Sequence, residues 1–163
     1  MMMQLQGSCH CGAVRFSVNS RTPYPYMRCY CSICRKTAGG GGYAINIMGQ
    51  AETLKVEGRE HVRVYHALLE DGSRSGGRRH FCGDCGSALW ISDPEWPELV
   101  HPFASAIDTP LPVAPAHVNI LLEFAAPWAD RPGGHNDQDF DGFPEESIFE
   151  WHRNRNLLVN GDG

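Results

Sequence analysis

Along most of the chain, apolar and polar residues alternate with a period of two, the pattern of strands with one buried face. The clearest case is 13–18, where Val14, Phe16 and Val18 fall on one side and Arg15 and Ser17 on the other. In 61–68, Val62 and Val64 face one way and Arg63 and Tyr65 the other. In 117–124, Val118, Ile120, Leu122 and Phe124 oppose Asn119, Leu121 and Glu123. Further extended stretches are expected over 26–30, 43–48, 52–57, 78–82, 87–92 and 99–107. Asp71-Gly72 marks a hairpin turn that 73–77 extends. Residues 19–25 read as a turn, Pro94 and Pro97 as an interruption, and residues 1–8 as a short tail. No stretch before residue 140 holds a helical period over three turns, and no internal repeat is visible. The expected class is mainly β, built from antiparallel sheets.

Composition changes this picture little before residue 125. With 163 residues, 42% hydrophobic and 20% charged, the chain is long enough for one domain with its own core. A net charge of −5, with only Lys36 and Lys55 as lysines, lacks the basic excess of a nucleic-acid-binding protein. No apolar run approaches the roughly 18 residues needed to cross a bilayer. The expectation is a cytoplasmic protein whose partners are neither nucleic acid nor membrane. From residue 125 the balance shifts to eight acidic residues against three arginines. Phe143-Pro144-Glu145-Glu146 resembles a helix start, with Ile148, Trp151 and Arg155 following on one short helix. The expected organisation is a β domain over 5–130 and an acidic extension over 131–163. Packing on the domain, covering a site and self-association as a homo-oligomer all stay open for that extension.

The candidate chemistry lies in seven cysteines, none of them isolated. Cys29, Cys31 and Cys34 fall within six consecutive positions, flanked far off by Cys9 and Cys11 and by Cys82 and Cys85. A tetrahedral zinc holds each thiolate at about 2.3 Å, which places neighbouring sulfurs about 3.7 Å apart. Cys-x-Cys on an extended chain points both side chains to one side. Cys-x-x-Cys-Gly makes a tight knuckle in which glycine lets the backbone turn towards a metal. The two outlying pairs are expected to make a closed four-sulfur zinc site. The triplet is expected to make a second zinc site with one position open to water, substrate or another side chain. An odd count and no visible signal peptide argue against disulfides. For the triplet, reactive or redox-active thiols are the alternative.

Three blocks together resemble the glutathione-dependent formaldehyde-activating enzyme family, which includes the centromere protein V relatives. They are Gly7-Ser8-Cys9-His10-Cys11-Gly12-Ala13-Val14-Arg15-Phe16, Cys29-Tyr30-Cys31-Ser32-Ile33-Cys34-Arg35-Lys36 and Phe81-Cys82-Gly83-Asp84-Cys85-Gly86-Ser87-Ala88-Leu89-Trp90. Looser similarity follows at Ala106-Ile107-Asp108-Thr109-Pro110, Pro115-Ala116-His117-Val118 and Pro127-Trp128, so that the resemblance spans about residues 5–130. It implies a β-tent fold, zinc at the two outlying pairs and a second zinc at the triplet. It also implies a carbon–sulfur lyase that forms S-(hydroxymethyl)glutathione.

Zinc held by three thiolates suits a soft fourth ligand, and a small thiol such as glutathione is one. In this reading Cys29, Cys31 and Cys34 are the catalytic group. Arg35 and Lys36 offset an anionic substrate or are solvated surface charge. His10 and His80 either hydrogen-bond near the outlying pairs or are exposed neighbours, and His117 is structural. Gly39-Gly40-Gly41-Gly42 either leaves room for a ligand beside the triplet or is a mobile connector. The competing classes are a non-catalytic, zinc-stabilised binding module and a thiol carrier.

Overall fold

A computed structural model describes residues 2–131 and 133–159. The described residues form three small sheets and two short helices. The first sheet is a hairpin of β1 (Met3–Ser8) and β2 (Arg15–Ser20), joined on its far side by β6 (Lys55–Glu57). The second has five strands in the order β5 (Gly49–Gln50), β10 (Leu99–Pro102), β9 (Ala88–Ser92), β8 (Arg78–Cys82) and β7 (Val62–Tyr65). The third aligns β12 (Gln138–Asp139), β11 (Val118–Ile120), β3 (Met27–Cys29) and β4 (Ala44–Ile45). Pairing is antiparallel in the first two sheets, as the alternation predicts. In the third, β11 runs parallel to both β3 and β12.

Several local expectations are corrected. Residues 3–8 are not a tail but the edge strand of the first sheet. Their alternation is hidden because Gly7 occupies a buried position, and a Cβ there would collide with the Phe16 ring. The strand over 117–124 stops at Ile120, where Leu121 takes a φ of 55° and a 3₁₀ turn over Leu122–Phe124 follows. Likewise 99–107 ends as a strand at Pro102, and 52–57 begins with a 3₁₀ turn. Helix α1 (Ser32–Ala38) spans only two turns, too few for a period to register in the sequence. The C-terminal helix α2 (Ile148–Asn154) does form, but four residues later than Pro144 suggested. Ser147 caps it by accepting from the Glu150 amide, while the Glu150 carboxylate accepts from the Ser147 amide.

Among the described residues, two of the three hydrophobic clusters each hold one cysteine group. Cys9 and Cys82 sit among Leu5, Val14, Phe16, Val18 and Leu89. Cys29 and Cys34 sit among Tyr26, Phe103, Val118, Ile120 and Trp151. Trp151 of α2 stacks on Tyr26 at 3.8 Å and 9°, so the C-terminal helix is part of the second core. His152 beside it is fully buried, with Nε2 accepting from the Tyr24 amide at 3.2 Å and Nδ1 donating to the Ile148 carbonyl at 2.7 Å. Among the described residues, no helix is long and apolar enough to cross a membrane.

Candidate metal centres

Two hairpin tips from different sheets meet to form the first centre. The β1–β2 tip carries Cys9 and Cys11, and the β8–β9 tip carries Cys82 and Cys85. Cys9 and Cys11 do not lie on extended chain. They sit in a turn closed by the Gly12 amide donating to the Cys9 carbonyl at 3.1 Å. In both tips a glycine follows the second cysteine, Gly12 at φ 80° and Gly86 at φ 79°, a left-handed conformation that a residue with a Cβ resists. The sulfurs approach to 3.6 Å between Cys9 and Cys11 and 3.8 Å between Cys11 and Cys82. Those separations match the edge of a tetrahedral thiolate site, about 3.7 Å. The His10 amide donates to the Ser87 hydroxyl at 3.0 Å, tying one tip to the other. His61 Nδ1 lies 2.6 Å from the Asp84 carboxylate, within the second cysteine pair's own turn.

Strand β3 and helix α1 build the second centre. Here the extended reading holds: Cys29 and Cys31 share a side, while Tyr30 between them points into a separate cluster and donates to the Asp130 carbonyl at 3.0 Å. Cys31 caps α1, its sulfur accepting from the Cys34 amide at 3.2 Å. Cys34 lies one turn into the helix, so the cap returns it beside the other two sulfurs. Cys29 and Cys34 are 5% and 3% exposed, and Cys31 is half-buried. Among the described residues, no histidine, aspartate or glutamate joins either group.

The electrostatics of the triplet fit a divalent cation. Cys31 is held far below the ordinary thiol range, at about 2, because Cys29 and then Cys34 donate to its sulfur and the Cys34 and Ile33 amides add to this. Cys29 is pushed well up, by hydrogen bonding to Cys31 and Cys34 first and by burial after. Cys34 gains from Cys29 but is raised on balance by Cys31 and by burial. Three sulfurs this close oppose one another's ionisation, and a metal ion held among them would let all three ionise. In the four-cysteine group, the Ser87 hydroxyl and then the Cys11 and Ser87 amides lower Cys85 to about 5. Cys9 is lowered against the effect of its burial, chiefly by the Val14 amide at 3.2 Å.

The other residues singled out from the sequence are spread around these centres. Arg35 is half-buried, and Lys36 is exposed on the next position of α1, about 200° around the helix from Cys34. His80 stacks on Trp90 at 4.9 Å, and burial lowers its pKa. The His117 amide donates to Asp137 at 2.8 Å in the third sheet. The expected room at Gly39–Gly42 is largely taken by the protein. A Cβ on Gly39 would strike the Tyr43 carbonyl, and one on Gly42 would strike Ala129, leaving only Gly40 and Gly41 open.

Sequence reasoning missed Arg79. From β8 its Nη2 donates to the Cys34 sulfur at 3.7 Å and its Nη1 to the Thr37 hydroxyl at 3.2 Å. It also lines a cleft of about 280 Å³ with Thr37, Tyr65, Phe81, Ala88 and Phe103. A second, hydroxyl-rich cleft of about 470 Å³ meets the first at Thr37 and Ala88 and runs towards Cys9, Ser87 and Asp108. Both therefore lie between the two cysteine groups. Nothing in the run Arg78-Arg79-His80 distinguishes one arginine from the other, because the packing of α1 on β8 makes that choice.

Residues 4–122 match the family described as "Glutathione-dependent formaldehyde-activating enzyme". A curated protein of Halomonas elongata, named "Putative glutathione-dependent formaldehyde-activating enzyme", is 61% identical over 150 residues, covering 92% of this chain and 95% of that protein. A crystal structure of a Rhodobacter sphaeroides protein superposes with a TM-score of 0.51 at 27% identity, covering 68% of this chain and 92% of the other.

Proposed function

The chain belongs to the glutathione-dependent formaldehyde-activating enzyme family, and from that premise we propose that it is a zinc-dependent carbon–sulfur lyase. Its substrates are a small thiol of the glutathione class and an aldehyde-derived carbon. The observation that carries the reading is a partly buried group of three sulfurs with no fourth protein donor among the described residues, linked through Arg79 to an open cleft. Cys29, Cys31 and Cys34 would hold one zinc, and Cys9, Cys11, Cys82 and Cys85 the other. A zinc held by the triplet supplies one vacant position for a soft ligand and keeps a sulfur deprotonated near neutral pH.

The chain's own residues do the rest. Burial of Cys29 and Cys34 in the second core fixes the triplet on packed elements. Arg79 places positive charge against the Cys34 sulfur, partly offsetting the charge that three thiolates add. Arg35 and Lys36 enter the reading as charges that attract an anionic thiol. In the reaction the thiol sulfur forms a bond to the aldehyde carbon. The C=O π pair moves to oxygen, and the thiol's proton ends on that oxygen through solvent. Such additions are intrinsically easy, so positioning the two partners is the protein's main contribution. In this reading residues 5–130 are the zinc domain and 131–163 an extension packed on it through Trp151. The seven free thiols fit a reducing compartment such as the cytoplasm.

Cobalt substitution tests this reading, because a thiolate entering the coordination sphere changes the cobalt spectrum. The change should saturate with glutathione, weaken at acid pH and vanish in Cys31→Ser. A triplet loaded with cobalt and indifferent to every thiol would overturn the proposal in favour of a zinc-stabilised binding module. Saturable binding without faster adduct formation or cleavage would make the protein a thiol carrier.

A further inference from the structure

Among the described residues, Arg79 is the one arginine or lysine lining the cleft of about 280 Å³, with His80 as the other titratable group besides Tyr65. It is half-buried and sits on β8, paired through the sheet with Tyr65 on one side and Ile91 on the other, so its backbone is well fixed. Two of its five N–H groups have partners, Cys34 and Thr37. The Thr37 hydroxyl donates onward to the Ile33 carbonyl at 2.6 Å, which leaves its oxygen free to accept from Arg79. Among the described residues, no carboxylate lies within ion-pair distance of the guanidinium, and the cleft contains none. A half-buried guanidinium with unused donors, no counter-charge and a walled cleft in front of it is a receptor for a planar anion. A carboxylate matches that fork in two parallel hydrogen bonds.

Arg79 also stands between the cleft and the sulfur: it lines the one and touches the other. A ligand that seats its sulfur at the triplet from this side passes within reach of the guanidinium. We infer that Arg79 selects thiols that carry a carboxylate a few bonds from the sulfur, by clamping that carboxylate while the sulfur sits at the triplet. The inference rests on the thiol reading above and narrows it to one chemical class.

The test compares two thiols of similar size, 3-mercaptopropionate and 2-mercaptoethanol, titrated into cobalt-loaded protein and followed by the visible spectrum. A charge-assisted clamp should make the carboxylate thiol bind about 10–100-fold more tightly. In Arg79→Met that ratio should collapse towards one. Arg79→Lys, which keeps the charge and loses the fork, should retain part of it. A wild-type ratio near one overturns the inference even if Arg79→Met fails to fold. So does a ratio that survives intact in Arg79→Met. If neither thiol alters the wild-type spectrum, the thiol reading itself fails, which is a different result from thiols that bind without regard to their carboxylate.

Discussion

Replacing Cys82 and Cys31 by serine, one at a time, should have very different effects, although each removes one sulfur. Cys82 is fully buried at the meeting point of two hairpin tips, 3.8 Å from the Cys11 sulfur. A zinc held there would join segments more than seventy residues apart. Structural zinc sites contribute about 10–16 kcal/mol of apparent binding free energy in small peptides. A domain's whole net stability is about 5–15 kcal/mol. Losing half of such a contribution, about 5–8 kcal/mol, is therefore comparable with the whole net stability, and a buried serine hydroxyl without a partner costs about 1–3 kcal/mol more. Cys31, in contrast, is half-buried and caps α1 through its sulfur. Serine is among the preferred caps, so its hydroxyl can take over the Cys34 amide. Cys29 and Cys34 stay behind as small apolar groups in a core that keeps Tyr26, Phe103 and Trp151. The expected cost is about 1–2 kcal/mol, a fall in Tm of about 2–8 °C for a chain of this length. Elemental analysis and thermal melts check both variants. Wild-type protein should hold between one and two zincs per chain. Cys31→Ser should be folded and retain about one. Cys82→Ser should be insoluble or unfolded. If Cys31→Ser unfolds as severely as Cys82→Ser, or Cys82→Ser melts within a few degrees of wild type, the division between a structural and a functional centre is wrong.

Trp151→Ala removes a side chain that is 1% exposed, stacks on Tyr26 at 3.8 Å and lies under the Arg155 guanidinium at 4.6 Å. Urea denaturation should show a loss of about 3–5 kcal/mol, and a loss below about 1 kcal/mol would mean that α2 is not part of the core. His152 is buried, and its Nε2 accepts from the Tyr24 amide, so it is neutral in the folded protein and its pKa is lowered by burial. Between the ordinary histidine value near 6.5 and that lowered value, the unfolded chain binds a proton that the folded chain does not. Stability is therefore full above pH 6.5 and falls as the pH drops through this window, by up to about 1.4 kcal/mol per pH unit for each such group. His101 and His80, also lowered by burial, act in the same direction. Urea midpoints measured in steps from pH 7.5 to 5.5 should show a shallower slope for His152→Gln than for wild type. Equal slopes would remove His152 from this account.

The sequence by itself determined most of the strands and the grouping of the cysteines, since both are written in local spacing. Alternation over 13–18 registers because the strand buries one face, with Val14, Phe16 and Val18 buried. Cys29, Cys31 and Cys34 meet because a few residues of strand and one helical turn bring them together. The family, too, was legible from the three cysteine blocks. Other features depended on contacts between distant segments. Gly7 hides a strand because Phe16 fills the space of its absent side chain. Gly39 and Gly42 look like an open loop until Tyr43 and Ala129 are seen against them. Helix α2 is short and polar in its surroundings, and it becomes part of the core only through Tyr26, more than a hundred residues earlier. Arg79 is one of two adjacent arginines until α1 packs on β8 and sets its guanidinium between Cys34 and the cleft. Periodicity reports which face of a segment is buried. Only docking of one sheet on another decides what that face meets, and the chemistry of a site is made by what meets there.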